Sequence, residues 1–247
     1  MDKSLKPNSF WIQESGDDPQ NWERNSPKAN RFHYTITPDK QSAERYKQMG
    51  INAEWISHWA DTAVQFPLNL EPEFTAVTTR GPGNSEFLDY LTRWGEGAIG
   101  NKNGMGAKEH TEFLNKGLMV IQNSRWKEIT RRIFEGMACG KMVLTDNLPP
   151  EKGLRDIFID GEDIVYYDDM FDCIEKMNYY NENGILNDNS YERVSIRSNN
   201  EYRVSDRLKF GNNIGITRWN SNNKPFSLFT DAYNAAPIYN AKNADVS

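Results

Sequence analysis

Two arginines and one glutamate share a short segment of this sequence, RRIFEGMACGKMVLTD, which begins with Arg131 and Arg132 and continues through Glu135. A guanidinium group suits a diphosphate, because its planar N–H groups donate paired hydrogen bonds to phosphate oxygens. A carboxylate accepts several hydrogen bonds and therefore suits a ribose diol. Together these residue types could hold the ribose and the diphosphate of a nucleotide.

The same charges have a plainer interpretation as a solvated helix face. Arg131 and Glu135 are four residues apart, so on a helix they could form a surface pair worth roughly a few tenths of a kcal/mol. Exposed charges are common enough that this interpretation is favoured for an average helix. The position of the segment in the fold must decide between the two interpretations.

The elements around the segment favour binding. Residues 118–122, LMVIQ, predict a strand buried on both faces, and apolar residues then recur at helical spacing from Ile129 to Met137. A helix that follows a buried parallel strand begins at the ligand-binding edge of the sheet, where its free N–H groups attract phosphate. Asn123 opens the polar loop at that edge, and we expect it to contribute to the same site.

The chain from residue 74 onward alternates apolar runs with helical periods. Besides the helix that ends before Gly140, the predicted elements are strands at 74–79, 118–122, 142–145 and 163–167 and helices at 85–94, 107–116 and 170–179. This alternation is typical of a parallel sheet with helices on its faces. The sequence predicts a Rossmann-like α/β domain over 74–210, with a weakly patterned helix at 192–208, and an Asn-rich tail over 211–247.

Residues 1–63 show a smaller version of the same pattern. Strands are predicted at 10–14, 33–37 and 53–59, with a helix at 39–49. Residues 64–73 contain two prolines and no periodicity, which is typical of a connecting segment. We therefore expect a partial N-terminal α/β unit over 1–63, joined by a hinge over 64–73 to the larger domain.

Charge and apolar content exclude several classes of function. A net charge of −6 without a long Lys/Arg run argues against a nucleic-acid partner. No apolar run is long enough for a membrane span or typical of a signal peptide, so the sequence predicts a cytoplasmic protein. Cys139 and Cys173 fit no metal or redox spacing and are predicted to be buried thiols. The spacing of the three histidines predicts no metal site.

The sequence resembles the C-terminal half of GT-B glycosyltransferases in the segment RIFEGMACGKMVLTD and in the later stretches IFIDGEDIVYYDD and CIEKMNYY. Its Arg-x-Phe-Glu helix is similar to that of the CgeB-like family. The stretches ESGDDPQNW and YTITPDKQSAERYKQMGINAEWISHWAD resemble the end of that family's N-terminal domain. The resemblance covers residues 10–180 and implies a nucleotide-diphosphate sugar donor held between two Rossmann-like domains, of which the N-terminal one is shortened here.

The resemblance also implies roles for single residues. Glu135 is expected on the donor ribose and Arg132 near the diphosphate, while Arg80 and Gly81 are expected at a turn that approaches the phosphates. Neither a cofactor nor a metal is expected, because the helix dipole and basic side chains stabilise the leaving diphosphate in this family.

One position departs from the family pattern. Many GT-B enzymes carry a second glutamate earlier in the same segment, at the position that Lys127 occupies here, and Glu128 stands beside it. The departure concerns recognition of the donor sugar.

Other candidate side chains have a structural alternative. Asp17 and Asp18 follow the first predicted strand and could supply a catalytic base, but the tetrapeptide GDDP is more typical of a turn. His33 and His58 lie at predicted strands and are interpreted as packed or edge side chains. Four tryptophans could stack on a sugar or a base, although core packing explains most of them better: Trp55, Trp59, Trp94 and Trp126.

Three functions therefore remain open from the sequence. The first is a glycosyltransferase that moves a sugar from a nucleotide-diphosphate donor to an unknown acceptor. The second is a non-catalytic nucleotide-sugar-binding module whose cleft a partner chain completes. The third is a structural remnant in which Arg132 and Glu135 form a surface pair and no nucleotide binds.

Overall fold

The computed structural model of the protein describes residues 9–79 and 85–182, together with four strands farther along the chain: 193–195, 199–205, 208–213 and 217–219. The chain divides into two compact units, residues 1–187 and 188–247. Both predicted α/β layers lie in the first unit.

The N-terminal layer is a small parallel sheet. Its strands and helices are β1 (Ile12–Glu14), α1 (Trp22–Ala29), β2 (Tyr34–Thr37), α2 (Lys40–Gln48) and β3 (Ala53–Trp55), and the strand order is β1-β2-β3. Asp39 begins α2, because its Oδ2 atom accepts hydrogen bonds from the backbone N–H of Ser42 at 2.8 Å and from the Ser42 hydroxyl at 2.6 Å. Helix α1 does not show in the apolar pattern of the sequence, since it is polar and contains Pro27.

The larger layer is a five-stranded parallel sheet with the order β5-β4-β6-β7-β8. Its elements are β4 (Phe74–Thr78), α3 (Ser85–Trp94), β5 (Ile99–Asn101), α4 (Ala107–Asn115), β6 (Gly117–Gln122), α5 (Arg131–Ala138), β7 (Met142–Asp146), α6 (Leu154–Ile157), β8 (Val165–Tyr167) and α7 (Met170–Glu182). The α/β fold class predicted from the alternating pattern is confirmed.

Helix α5 packs tightly on the two central strands. A Cβ atom at Gly136 would lie 3.1 Å from side-chain atoms of both Val120 and Val143, which is a tight contact, so glycine lets the helix approach the sheet closely without pressing on either valine. Ile133 and Met137 are buried on the same side of the helix. Close packing fixes where the start of α5 lies relative to the edge of the sheet.

The two layers are joined by buried polar contacts. Lys152 donates a hydrogen bond of 2.8 Å from Nζ to Oδ1 of Asp39, and both residues are buried. The predicted hinge is also held in place, because Oδ1 of Asn115 accepts a hydrogen bond from the backbone N–H of Leu68 and its Nδ2 donates to the backbone oxygen of Phe66.

The second unit contains four strands: β9 (Arg193–Ser195), β10 (Asn199–Ser205), β11 (Leu208–Asn213) and β12 (Thr217–Trp219). Strand β10 pairs with β11, and β12 pairs with β9, both antiparallel. The helix predicted over 192–208 is therefore wrong, because β-branched and aromatic residues there alternate with polar ones at the period of a strand.

Candidate functional site

A cleft of about 570 Å³ lies between the carboxyl ends of the two sheets. One side, which we call the N-terminal wall, follows strands β1 and β3 and consists of Glu14, Gly16, Asp17, Asp18, Gln20 and His58. The opposite side, the C-terminal wall, follows β4, β5 and β6 and includes the first turn of α5. In parallel sheets ligands bind at the carboxyl ends of the strands, so the location fits a binding site.

The start of α5 presents polar groups to the cleft. Thr130 is the N-cap residue, yet its side chain makes no capping hydrogen bond, and its Oγ1 atom is buried without a partner among the described residues. Oγ1 of Thr79, at the end of β4, is likewise buried and unpartnered within the described ranges. Buried hydroxyl groups without partners cost free energy, so a polar group of a ligand near these two residues could offset that cost.

Glu135 and Arg132 both face the cleft rather than open solvent. The side chain of Glu135 is 12% exposed, and its Oε2 atom lies 3.7 Å from Nδ1 of His110. Burial is the main cause that lowers the pKa of Arg132, and the nearby carboxylate of Glu135 opposes it. The buried position of Glu135 beside His110 argues against the solvated-face interpretation, which pairs it with Arg131 at the surface.

Glu128 also reaches the cleft, although the family pattern would place a glutamate at position 127. Lys127 has a φ of 54°, and its side chain is largely exposed. Burial raises the pKa of Glu128, and its Oε2 atom is buried without a partner among the described residues. The backbone N–H of Glu128 donates to the hydroxyl of Ser124, which holds the loop in this shape. Although Lys127 replaces the glutamate of the family pattern, Glu128 therefore still places a carboxylate beside the start of α5.

His58 lines the cleft, although its place at a predicted strand favours a packed side chain or one at the edge of the sheet. Burial lowers its pKa to about 4, with the positive charge of Arg131 acting in the same direction and the carboxylate of Asp17 opposing both. The imidazole is therefore neutral near pH 7. The signal in the sequence that could have placed His58 in a binding cleft is its position shortly after β3, at the carboxyl edge of the small sheet. His33, by contrast, stacks on Phe10 outside the cleft, as expected of an edge residue.

The two candidate bases have different surroundings. Asp18 is buried and accepts hydrogen bonds from the hydroxyl of Tyr46 at 3.0 Å and from Nδ2 of Asn25 at 3.1 Å. Asp17 is exposed on the cleft, with Nδ2 of Asn21 3.3 Å from its Oδ2 atom. Backbone hydrogen bonds close a turn at this point, as the alternative interpretation predicts. Of the two carboxylates, Asp17 is the one placed to exchange a proton with a ligand.

The match of the sequence to a family model identifies the family. Residues 67–210 match the family described as glycosyl transferase-like. The chain belongs to this glycosyl transferase-like family. No curated protein matches the chain at significant similarity.

Solved structures share the fold of this glycosyl transferase-like chain. A sucrose-phosphate synthase from Thermosynechococcus elongatus is 11% identical with a TM-score of 0.57, over 74% of this chain and 62% of that one. The Anabaena protein HepE, solved in complex with UDP-glucose, is 13% identical with a TM-score of 0.56, over 74% and 65%. TarM is 13% identical with a TM-score of 0.50, over 70% and 42%. The glycosyl transferase-like chain spans less than two thirds of each of these proteins.

Three further site residues are predicted from the sequence, and the described residues test only one of them. Arg80 and Gly81 lie outside the described residues. Asn123 is partly buried at the end of β6 but is not among the residues that line the cleft. The loop instead brings Glu128, Ile129 and the start of α5 to this position.

Three of the four tryptophans considered as stacking residues lie outside the core of the glycosyl transferase-like chain. Trp59, Trp94 and Trp126 are 52%, 59% and 47% exposed, so the prediction of core packing is wrong for these three. Of the four, Trp55 packs against the core, beside Gly153. None of the four lines the cleft, so the described geometry offers no stacking platform from these side chains.

Two other expectations concern the whole chain. Cys139 and Cys173 are both buried and form no disulfide, which confirms the prediction of buried thiols. None of the helices in the described ranges combines the length and the apolarity that a bilayer crossing requires.

Proposed function

We propose that the chain is a GT-B glycosyltransferase that moves a sugar from a nucleotide-diphosphate donor to an acceptor hydroxyl, without a metal ion. The observation that carries the proposal is the convergence of Arg132, Glu135 and the unpartnered Thr130 hydroxyl on one cleft at the start of α5. We also propose the CgeB-like subfamily, on the Arg-x-Phe-Glu pattern of that helix.

Each group has a defined part in the proposed site. Glu135 accepts hydrogen bonds from the ribose diol of the donor, and His110 holds its carboxylate in position. Arg132 and the free N–H groups at the start of α5 bind the diphosphate. Glu128, whose Oε2 atom is buried without a partner among the described residues, accepts a hydrogen bond from a hydroxyl of the donor sugar.

In the proposed transfer step, groups of the cleft accept the proton of the acceptor and stabilise the leaving group. A bond forms between the acceptor oxygen and the anomeric carbon of the sugar, and the bond from that carbon to the diphosphate breaks. The acceptor proton goes to Asp17, and the electron pair leaves with the nucleoside diphosphate. Arg131 and Arg132 stabilise the negative charge that develops on the leaving group.

A second candidate function is a nucleotide-sugar-binding module that does not turn its donor over. The observation in its favour is the small size of the N-terminal sheet, which has three strands where the larger parallel sheet has five. Such a module would complete its acceptor side with a partner chain. It predicts donor binding without transfer.

The first experiment is a thermal-shift titration with UDP, GDP, CDP and dTDP, with and without EDTA. A ligand at about 100 times its Kd stabilises the folded state by about 2.7 kcal/mol. The proposal expects a shift with at least one nucleotide that is insensitive to EDTA. The shift should shrink in Glu135→Gln and persist in Glu162→Gln, which makes the same chemical change on an exposed turn.

The outcomes separate the candidates. No shift with any nucleotide contradicts both the transferase and the binding module, whereas a shift abolished by EDTA contradicts metal independence alone. Where a nucleotide binds, incubation with the matching nucleotide sugar and detection of the released diphosphate decides between turnover and binding only.

A further inference from the structure

The two walls of the cleft differ in charge. The N-terminal wall contributes the carboxylates of Glu14, Asp17 and Asp18, and no lysine or arginine is among its described lining residues. The C-terminal wall contributes all the described lysine and arginine side chains of the lining, Lys102, Arg131 and Arg132, together with the carboxylates of Glu128 and Glu135. A ligand that spans the cleft therefore meets an acidic side and a side of mixed charge that holds the cations.

Two of the three carboxylates remain open to a ligand. Asp18 already accepts hydrogen bonds from Tyr46 and Asn25, so it contributes charge rather than a contact. Glu14 ends β1 and is exposed at the cleft, and Asp17 is exposed three residues later. His58 is the remaining titratable side chain of this wall and is neutral near pH 7, so it does not offset them.

The diphosphate of a bound donor would pair with the cations of the C-terminal wall. The Nζ atom of Lys102 forms an ion pair with Glu109, which leaves Arg131 and Arg132 for the diphosphate. A second anion in the cleft would then face the donor phosphates on one side and Glu14 with Asp17 on the other. Like charges within a few ångströms repel strongly where water is partly excluded.

Two hydroxyl groups in the lining of the cleft are available to a polar ligand. Thr79 and Thr130 line it and are 7% and 8% exposed, and their hydroxyl oxygens are without a partner among the described residues. These hydroxyl groups are independent of the acidic residues, and they indicate that a ligand with hydroxyl or phosphate groups completes the site.

We propose that Glu14, Asp17 and Gln20 form the acceptor subsite and that it selects neutral or amine-bearing polyhydroxyl acceptors against phosphorylated or carboxylated ones. The inference rests on the proposed transferase function, because the donor is taken to occupy the C-terminal wall. Carboxylates accept hydrogen bonds from hydroxyl groups and pair with ammonium groups, while they repel anions. Gln20 can donate to and accept from an acceptor hydroxyl without adding charge.

The test compares three probes that share one sugar ring and differ in charge: methyl glucosaminide, methyl glucoside and methyl glucuronide. Their Kd values are measured by saturation-transfer NMR on the full chain, with and without the nucleotide identified by thermal shift. We expect the glucuronide to bind at least about tenfold more weakly than the glucosaminide in both conditions, and more so with nucleotide bound.

Variants of Glu14 assign the selection to this wall. Glu14→Lys should bring the Kd values of the glucuronide and the glucosaminide together or invert their order. Glu14→Gln should give an intermediate ratio, and it remains available as a test if the reversed charge disturbs folding. Glu23→Lys, on the exposed side of α1, makes the same charge change away from the cleft and should leave the ratio unchanged. Nucleotide binding should persist in all three variants.

The results that overturn the inference are specific. Equal or tighter binding of the glucuronide, an unchanged ratio in both Glu14 variants, or no binding by any of the three probes while nucleotide binds would each overturn the acceptor assignment. Absence of nucleotide binding in the wild-type chain would instead remove the donor site on which it rests, and with it both proposals.

Discussion

The Nδ1 atom of His110, on α4, lies 3.7 Å from the Oε2 atom of Glu135, on α5, and the two side chains are only 16% and 12% exposed. Burial is the main cause that lowers the pKa of His110, and Glu135 opposes it. Two helices thus meet at the carboxylate proposed to bind the donor ribose, so its orientation depends on a residue from another element.

Replacing His110 tests whether this contact positions Glu135. His110→Ala should weaken nucleotide binding by up to about 1 kcal/mol, because the 3.7 Å contact is longer than a hydrogen bond and acts through charge and packing. His110→Asn should recover part of the loss. Isothermal titration calorimetry measures both. His33→Asn, outside the cleft, serves as the control, and equal affinity in wild type and His110→Ala would show that Glu135 is positioned without the imidazole.

His58 should make stability depend on pH in a defined window. Its folded pKa of about 4 lies below the ordinary value of 6.5, so between these values the unfolded chain binds a proton that the folded chain does not. The free energy of unfolding should therefore fall as the pH is lowered through this window, by up to about 3 kcal/mol.

Urea unfolding from about pH 7 to about pH 4 can isolate this contribution. His58→Gln should show a smaller decrease than wild type, because it has no imidazole to protonate. The charged groups that act on His58 are Arg131, which lowers its pKa, and Asp17, which raises it. The folded-state pKa should therefore be lowered less in Arg131→Gln, and the free energy of unfolding should decrease less between about pH 7 and about pH 4 than in wild type. Parallel curves for wild type and His58→Gln would contradict the assignment.

The buried ion pair between Lys152 and Asp39 should be important for stability. Lys152→Met leaves the Asp39 carboxylate buried without its charge partner, and the expected loss is about 3–5 kcal/mol. Adding Asp39→Asn removes the unpaired charge and keeps a residue that can begin α2, so the double variant should recover part of the loss. Chemical denaturation of the two single variants and the double variant measures the coupling, and strict additivity would contradict it.

Gly136 should be intolerant of a larger side chain. A Cβ atom added there would already lie 3.1 Å from the side chains of Val120 and Val143, so Gly136→Val forces α5 away from the sheet. We expect a loss of stability of about 1–3 kcal/mol together with weaker nucleotide binding, because Arg132 and Glu135 move with the helix. Thermal unfolding and nucleotide titration measure the two effects. Stability loss with unchanged nucleotide affinity would separate the packing of α5 from the proposed site.

Four of the five strands of the larger sheet could be predicted because their signals are local, whereas β5 (Ile99–Asn101) was missed because three residues, IGN, carry too little pattern. The run from Met142 is continuously apolar and the helix before Gly140 repeats its apolar residues at helical spacing, so each segment specifies its own structure. The strands at 199–205 and 208–213 were missed because their signal is short. Only Tyr202 and Val204 alternate with polar residues in the first of them, and the pairing of the two strands with each other supplies the rest.

The candidate site was predictable on one wall and not on the other. Arg132 and Glu135 were found because they share a helix with a recognisable pattern. His58, Glu14 and Gln20 come from separate loops of the N-terminal layer, and their convergence depends on how that layer packs against the larger one. The roles of Arg132 and Glu135 in binding stay predictions until a nucleotide is titrated.

Asp39 begins a helix in one layer and neutralises a lysine 113 residues farther along the chain. A contact of that sequence separation raises the contact order, and the loop it closes must form before the contact can stabilise anything. The N-terminal layer precedes Lys152 in the chain, so Asp39 lacks its partner until the segment around Lys152 has been synthesised and folded. The buried pair therefore makes the final packing of the smaller layer depend on the larger one.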